Sequence, residues 1–133
     1  MSVNIFLNFA GNAKEALEFY TKLFRLDEPE VVTFRDAEEH GYTFKEEDKD
    51  KIFYSSIKLG NVTIMIGDVV GRDVTIGDNV SITYNLKTVD EVRRLYDLTR
   101  DEGEIVFEMG KTFYSEMYSA VTDKFGVTWH FLL

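Results

Sequence analysis

Ile5-Phe6-Leu7-Asn8-Phe9-Ala10-Gly11-Asn12-Ala13-Lys14-Glu15-Ala16-Leu17-Glu18-Phe19-Tyr20 passes from a strand pattern into a helix pattern, and the chain repeats that passage once. Val3, Ile5, Leu7 and Phe9 alternate with Asn4, Phe6 and Asn8, so residues 2–10 read as a strand. Asn12 is placed to cap a helix, with Glu15 completing a capping-box-like pair. Ala13, Ala16, Leu17, Tyr20, Leu23 and Phe24 recur at helical spacing and predict an amphipathic helix over 13–25. The same order restarts near Ser81: Asn12/Thr88, Glu15/Glu91 and Tyr20/Tyr96 match at an offset of 76. Lys51–Ser55 is echoed by Lys111–Ser115 at an offset of 60, and Val62–Ile66 by Val127–Phe131 at an offset of 65. The chain therefore reads as a tandem duplication. One such half cannot bury both faces of its sheet alone, so the halves are expected to pack around a shared cleft.

The remaining elements follow from the same reading. Pro29 precedes a short strand, Val31–Phe34, and Arg35 to Lys51, dense in Asp, Glu and Lys, shows neither period and reads as a loop. Residues 52–58 and 61–67 form a hairpin around Gly60-Asn61. Residues 68–79 carry glycine and no core pattern, which predicts a linker between module one (about 1–67) and module two (about 80–133) of a single domain, 1–133. In the second half, Val80, Ile82, Tyr84 and Leu86 alternate, Thr88 and Glu91 make a capping box, and a helix runs to about Arg100. Strands are expected over 104–109, 112–121 and 126–132, with a turn at 122–126. The expected class is α+β: two tandem βαβββ modules forming curved mixed sheets around a cleft.

Composition narrows the function. The 133 residues are 44% hydrophobic and 14% aromatic, enough for a core. No cysteine is present, which excludes a disulfide scaffold, a thiolate zinc site and a thiol nucleophile, and suits the cytoplasm. No stretch approaches the ~20 apolar residues of a membrane span, and the start lacks a signal-peptide pattern, so no membrane partner is expected. Twenty-four acidic against 15 basic residues give a net charge of −9, which repels phosphate backbones and argues against nucleic acid as a partner. There is no glycine-rich phosphate loop, no serine nucleophile elbow and no GxG strand-to-helix turn for a nucleotide or S-adenosylmethionine.

Three motifs complete the picture: Leu7–Ala13, Glu15–Tyr20, and Val121-Thr122-Asp123-Lys124-Phe125-Gly126-Val127-Thr128-Trp129. With the duplicated order, they make the whole chain resemble the vicinal-oxygen-chelate superfamily of glyoxalase, bleomycin-resistance and ring-cleaving dioxygenase proteins, and within it the PhnB-like branch. The resemblance implies a homodimer and, in members with chemistry, a divalent ion held by His, Gln or Glu from four strands. The equivalent positions are Ile5, Met65, Ser81 and His130, of which only His130 is a good ligand. The metal site is therefore expected to be degenerate, with no cofactor. Some relatives carry a demethylubiquinone methyltransferase label, which these residues do not support.

The expected cleft combines Ile5, Leu7 and Phe9 with Ser81, Thr83 and Asn85, apolar on one side and hydrogen-bonding on the other, which suits an organic ligand with one polar edge. Tyr54, Tyr114 and Tyr118 offer phenols, Phe53 and Phe113 rings, and Met65 and His130 complete the set. Each has a plainer reading: strand aromatics as core, Ser81, Thr83 and Asn85 as wet, His130 as a structural hydrogen-bonding group. Glu108 and Glu116 would act as bases only if buried, and the segment 36–51, with His40 and Tyr42, would act as a lid only if it closes over a site. The first reading is a small-molecule-binding protein. The alternatives are a metal-dependent lyase, isomerase or dioxygenase that pairs His130 with a carboxylate, and a protein that sequesters a cationic drug.

Overall fold

The computed structural model describes residues 1–133, which divide into two compact units, Met1–Thr75 and Ile76–Leu133. The first unit holds β1 (Ile5–Phe9), α1 (Ala13–Leu23), β2 (Val31–Thr33), α2 (Phe34–Ala37), β3 (Ile52–Leu59) and β4 (Val62–Asp68). Its sheet has the order β1-β4-β3-β2, with β1 parallel to β4 and the other pairs antiparallel. The second unit holds β5 (Ile82–Asn85), α3 (Val89–Arg100), β6 (Glu104–Gly110), β7 (Tyr118–Thr122) and β8 (Thr128–Leu132). Its sheet repeats the arrangement as β5-β8-β7-β6. The expected βαβββ–βαβββ order and α+β class are what the chain adopts.

In each unit the helix lays its apolar stripe on the central strands. α1 buries Ala13, Ala16, Leu17, Tyr20 and Leu23 against β3 and β4, where Ile57, Ile64 and Ile66 are also buried. α3 buries Val92, Leu95, Tyr96 and Thr99 against β7 and β8, over Val121, Trp129 and Phe131. Alternation along each strand then leaves the opposite face for other work.

The sheet registers correct two offsets read from the sequence. Ile66, Met65 and Ile64 pair with Ser55, Ser56 and Ile57, as Phe131, His130 and Trp129 pair with Ser119, Ala120 and Val121. β3 and β7 therefore correspond at an offset of 64, so the structural counterpart of Tyr54 is Tyr118 and not Tyr114. The resemblance of Lys111–Ser115 to Lys51–Ser55 is local, and the strand expected from residue 112 begins at Tyr118. Its start is set by Ser115, whose hydroxyl donates to the carbonyls of Met117 and Leu133 at 2.8 and 2.6 Å and turns the chain. Likewise β1 and β5 correspond through Ile5 opposite Ile64 and Ile82 opposite Trp129, one residue away from the 76-residue spacing that relates the helices.

Residues 34–51 are more ordered than their composition suggests. Phe34 opens α2 rather than closing β2, under a capping box between Thr33 and Asp36. Two short 3₁₀ turns follow, Glu38–His40 and Glu46–Asp48. Lys49 bridges Glu38 and Glu46 at 3.3 and 3.1 Å, and Phe34, Tyr42, Phe44 and Phe53 pack ring against ring at 4.8–6.5 Å. No helix is long and apolar enough to cross a membrane.

The cap of α1 also differs from expectation. Thr88 caps α3 locally, accepting from the Glu91 N–H, but Asn12 makes no side-chain cap bond. Its place is taken by Asp68, at the end of β4 where the sequence reading starts the linker. Asp68 Oδ1 accepts from the Gly11 and Ala13 N–H groups, both at 2.9 Å, and Oδ2 from the Ile52 N–H at 3.0 Å. One buried carboxylate thus ties the start of α1 to both middle strands. Asp68→Ala is expected to destabilise folding by about 3 kcal/mol, and Asp68→Asn, which keeps one acceptor oxygen, by less, both read as a lowered urea midpoint.

Candidate functional site

In the second unit the register decides which side chains keep company with His130. Thr83 lies level with His130 across the parallel β5–β8 pair, and Ala120 lies level with it across β7–β8. Level residues share a face, so Thr83, Asn85, Tyr118, Thr122, Thr128 and His130 lie on the face opposite the one on which Trp129 and Phe131 stack beneath α3.

Tyr118 Oη sits 2.6 Å from His130 Nδ1. Tyr118 is in turn held edge-on by Tyr114 at 5.8 Å and by Phe107 of β6 at 5.9 Å, while Phe113 meets Tyr114 at 4.9 Å. Burial pushes the Tyr118 phenol above its ordinary pKa, and the neighbouring Tyr114 adds to the rise. On the other side of His130 opens a recess of about 780 Å³. Its wall carries the hydroxyls of Ser81, Thr122 and Thr128, the aliphatic Ile76, Ile105 and Val106, and the carboxylates of Asp78 and Glu104. Thr122 and Thr128 Oγ1 atoms are 2.7 Å apart, so the two hydroxyls already share one hydrogen bond. The Ile76–Asp78 arm reaches the recess across Gly126, where a Cβ would meet Ile76 at 2.5 Å and where φ is +90°, so only glycine fits.

The second-module residues singled out from the sequence thus gather on one surface: Tyr114, Tyr118, Thr83 and Asn85 around His130, and Ser81 on the recess just before β5. The first-module set divides. Ile5, Leu7 and Phe9 lie level with Ile64, Ile66 and Asp68, on the helix-covered face, and Phe9 is buried. Met65 lies level with Phe6 and Ser56 on the other face, which Tyr54 shares. Register therefore moves both equivalences, the first by one residue and the second by two: Phe6, not Ile5, accompanies Met65, and Thr83, not Ser81, accompanies His130. Glu108 and Glu116 are exposed, as is His40.

An ion of the kind the superfamily holds takes His, Gln or Glu donors from four strands, and a single imidazole does not hold Zn²⁺ or Ni²⁺ against water. The side chains level with His130 are a threonine hydroxyl and an alanine methyl, Phe6 offers no donor, and no three His, Cys, Asp or Glu side chains gather anywhere in the chain. The residues present do not fit the superfamily's metal. The sequence reading also missed Asp78, Glu104, Thr122 and Thr128. The threonines carried a signal, since they flank the turn symmetrically. Asp78 comes from a segment with no pattern to place it, and Glu104 from the first residue of a strand, where the pattern does not set its direction.

Because the folded-state pKa of Tyr118 is raised, the phenol contributes stability that is present below about pH 10, its unfolded value, and is lost as pH rises through the folded one. Ultraviolet titration is expected to show a phenol ionising above the ordinary tyrosine range that disappears in Tyr118→Phe. An unchanged titration curve in that variant would contradict the burial.

A model of the family described as 3-demethylubiquinone-9 3-methyltransferase matches residues 1–132. Protein YjdN of Escherichia coli (strain K12) is 23% identical over 136 residues, covering 97% of this chain and 92% of that protein. Among solved structures, protein PA1353 from Pseudomonas aeruginosa aligns with a TM-score of 0.86 at 25% identity, over 99% of this chain and 96% of that one. The PhnB protein from Bacillus cereus aligns with a TM-score of 0.76 at 24% identity, over 100% and 99% of the two chains. With its matching tandem βαβββ sheets, the chain belongs to the 3-demethylubiquinone-9 3-methyltransferase family, the PhnB-like branch of the glyoxalase/bleomycin-resistance fold.

Proposed function

We propose that the chain is a small-molecule-binding protein whose ligand lies on the open face of the second sheet, in the recess beside His130, and that the superfamily's metal site has degenerated. The observation that carries this reading is the 2.6 Å bond between Tyr118 Oη and His130 Nδ1 at the edge of a 780 Å³ recess, a volume suited to a small organic molecule. That bond occupies one imidazole nitrogen and leaves Nε2 for a ligand. The superfamily's lyase, isomerase and dioxygenase chemistry would need His130 joined by carboxylates on one ion, and Asp78 and Glu104, though they line the same recess, do not gather with it into such a group.

Methyl transfer, which the family description names, finds no support in these residues. The turn before α1 is where an S-adenosylmethionine-type cofactor would seek backbone N–H donors, and Asp68 already takes those of Gly11 and Ala13. We further propose a cytoplasmic homodimer. The lack of cysteine suits a reducing compartment, and the edge strand β6 with its following loop exposes Val106, Phe107, Phe113 and Tyr114, Phe113 fully so.

Calorimetric titration with Ni²⁺, Zn²⁺ and Mn²⁺ is expected to show no stoichiometric binding. One equivalent bound tightly, and lost in His130→Ala, would overturn the degenerate metal site. Light scattering is expected to give twice the 15.4 kDa chain mass, and Phe113→Ser to lower it. A monomer mass at every concentration would overturn the dimer.

A further inference from the structure

We propose that the recess beside His130 selects an uncharged, carbonyl-bearing organic molecule and rejects organic anions. This rests on the reading of that recess as the ligand site and adds the polarity of what enters it.

The hydrogen-bond polarity comes from the Tyr118–His130 pair. A phenol is a strong donor and a poor acceptor, whereas the unprotonated nitrogen of a neutral imidazole is a strong acceptor. At 2.6 Å the pair is therefore best satisfied with Tyr118 donating to Nδ1, which leaves the proton of the ring on Nε2. His130 then offers an N–H to the ligand, and its partner must be an acceptor. Tyr118 is a positioning residue here, acting through the tautomer it imposes.

The charge comes from the lining. Asp78 and Glu104 bring two carboxylates, and no lysine or arginine lines the recess. A carboxylate or phosphate entering it would give up hydration and meet like charge, with no cation to compensate. An amine would find the carboxylates but would bring N–H groups to the N–H of His130. A neutral carbonyl compound meets both conditions. Its oxygen accepts from Nε2–H, and its apolar body lies along Ile76 and Val106.

Benzamide, benzoate and benzylamine share one ring and differ in charge, so they serve as probes for the full-length chain, followed by ¹⁵N-detected NMR of the His130 ring. Benzamide is expected to perturb His130 and Ser81 and to bind at least about tenfold more tightly than either charged probe. Asp78→Asn with Glu104→Gln is expected to raise the affinity for benzoate relative to benzamide. Tyr118→Phe is expected to weaken benzamide and to move the ring ¹⁵N signals toward a tautomer mixture, which a merely structural role would not do. Benzoate binding at His130 as tightly as benzamide, or benzylamine binding most tightly there, would overturn the proposed polarity while leaving the site in place. No response at His130 to any of the three would overturn both.

Discussion

Asp123 accepts the Trp129 indole N–H on Oδ2 at 2.9 Å, while its Oδ1 accepts from the Phe125 and Val127 N–H groups at 2.9 and 3.0 Å. The carboxylate, the tight turn and the first part of β8 are therefore one rigid piece. Side chains alternate along a strand, so once Trp129 is anchored on the helix-covered face, His130 is fixed on the other. A slip of one residue would put imidazole under α3 and indole in water, abandoning the stack of Trp129 on Phe131. The site depends on that parity, because the neighbours of His130 follow from it: Thr83 on one side, Ala120 on the other, Tyr118 diagonally.

The same geometry in the first unit shows how duplicated modules part company. Phe6, Met65, Ser56 and Tyr54 occupy the positions that Thr83, His130, Ala120 and Tyr118 hold in the second. The frame is common, but the exchange of His for Met removes the one hydrogen-bonding ring, and the exchange of Thr for Phe replaces a hydroxyl with hydrocarbon. Tyr54 has no imidazole to address. The polar chemistry has thus been kept in one copy, while the copy's counterpart face is built for apolar contact.

Local physics was legible in the sequence, and long-range physics was not. The α3 cap could be read because Thr88 and Glu91 lie within one turn, and the helix stripes could be read because period alone places them. The α1 cap could not. Asn12 and Glu15 have the right spacing, yet a carboxylate 55 residues from Ala13 outcompetes them, and only the fold brings it there. The echo of Lys51–Ser55 in Lys111–Ser115 misled because sequence likeness does not fix strand register, whereas ladder bonds do. In the candidate site, His130 and Tyr118 stood out by residue type, but their 2.6 Å contact is diagonal across two strands and required the register. Asp78 and Glu104 come from a connecting arm and from the first residue of an edge strand, where nothing in the pattern sets direction.

A family description and a site can disagree, and here the disagreement has a physical location. Methyl transfer to an aromatic substrate requires a cofactor cradle, and backbone N–H groups at a strand-to-helix turn are the usual means of making one. In this chain those groups are satisfied internally: Asp68 is buried, accepts those of Gly11 and Ala13 together with the Ile52 N–H of β3, and so stabilises the fold through the contacts a cofactor would want. Freeing them would leave a buried carboxylate unpaired. The surface around His130 carries no such obligation. Nε2 of His130 is left open by the bond at Nδ1, and the recess beside it is lined by Ser81, Asp78 and Glu104. That surface, unlike the turn before α1, keeps a hydrogen-bonding group for a ligand.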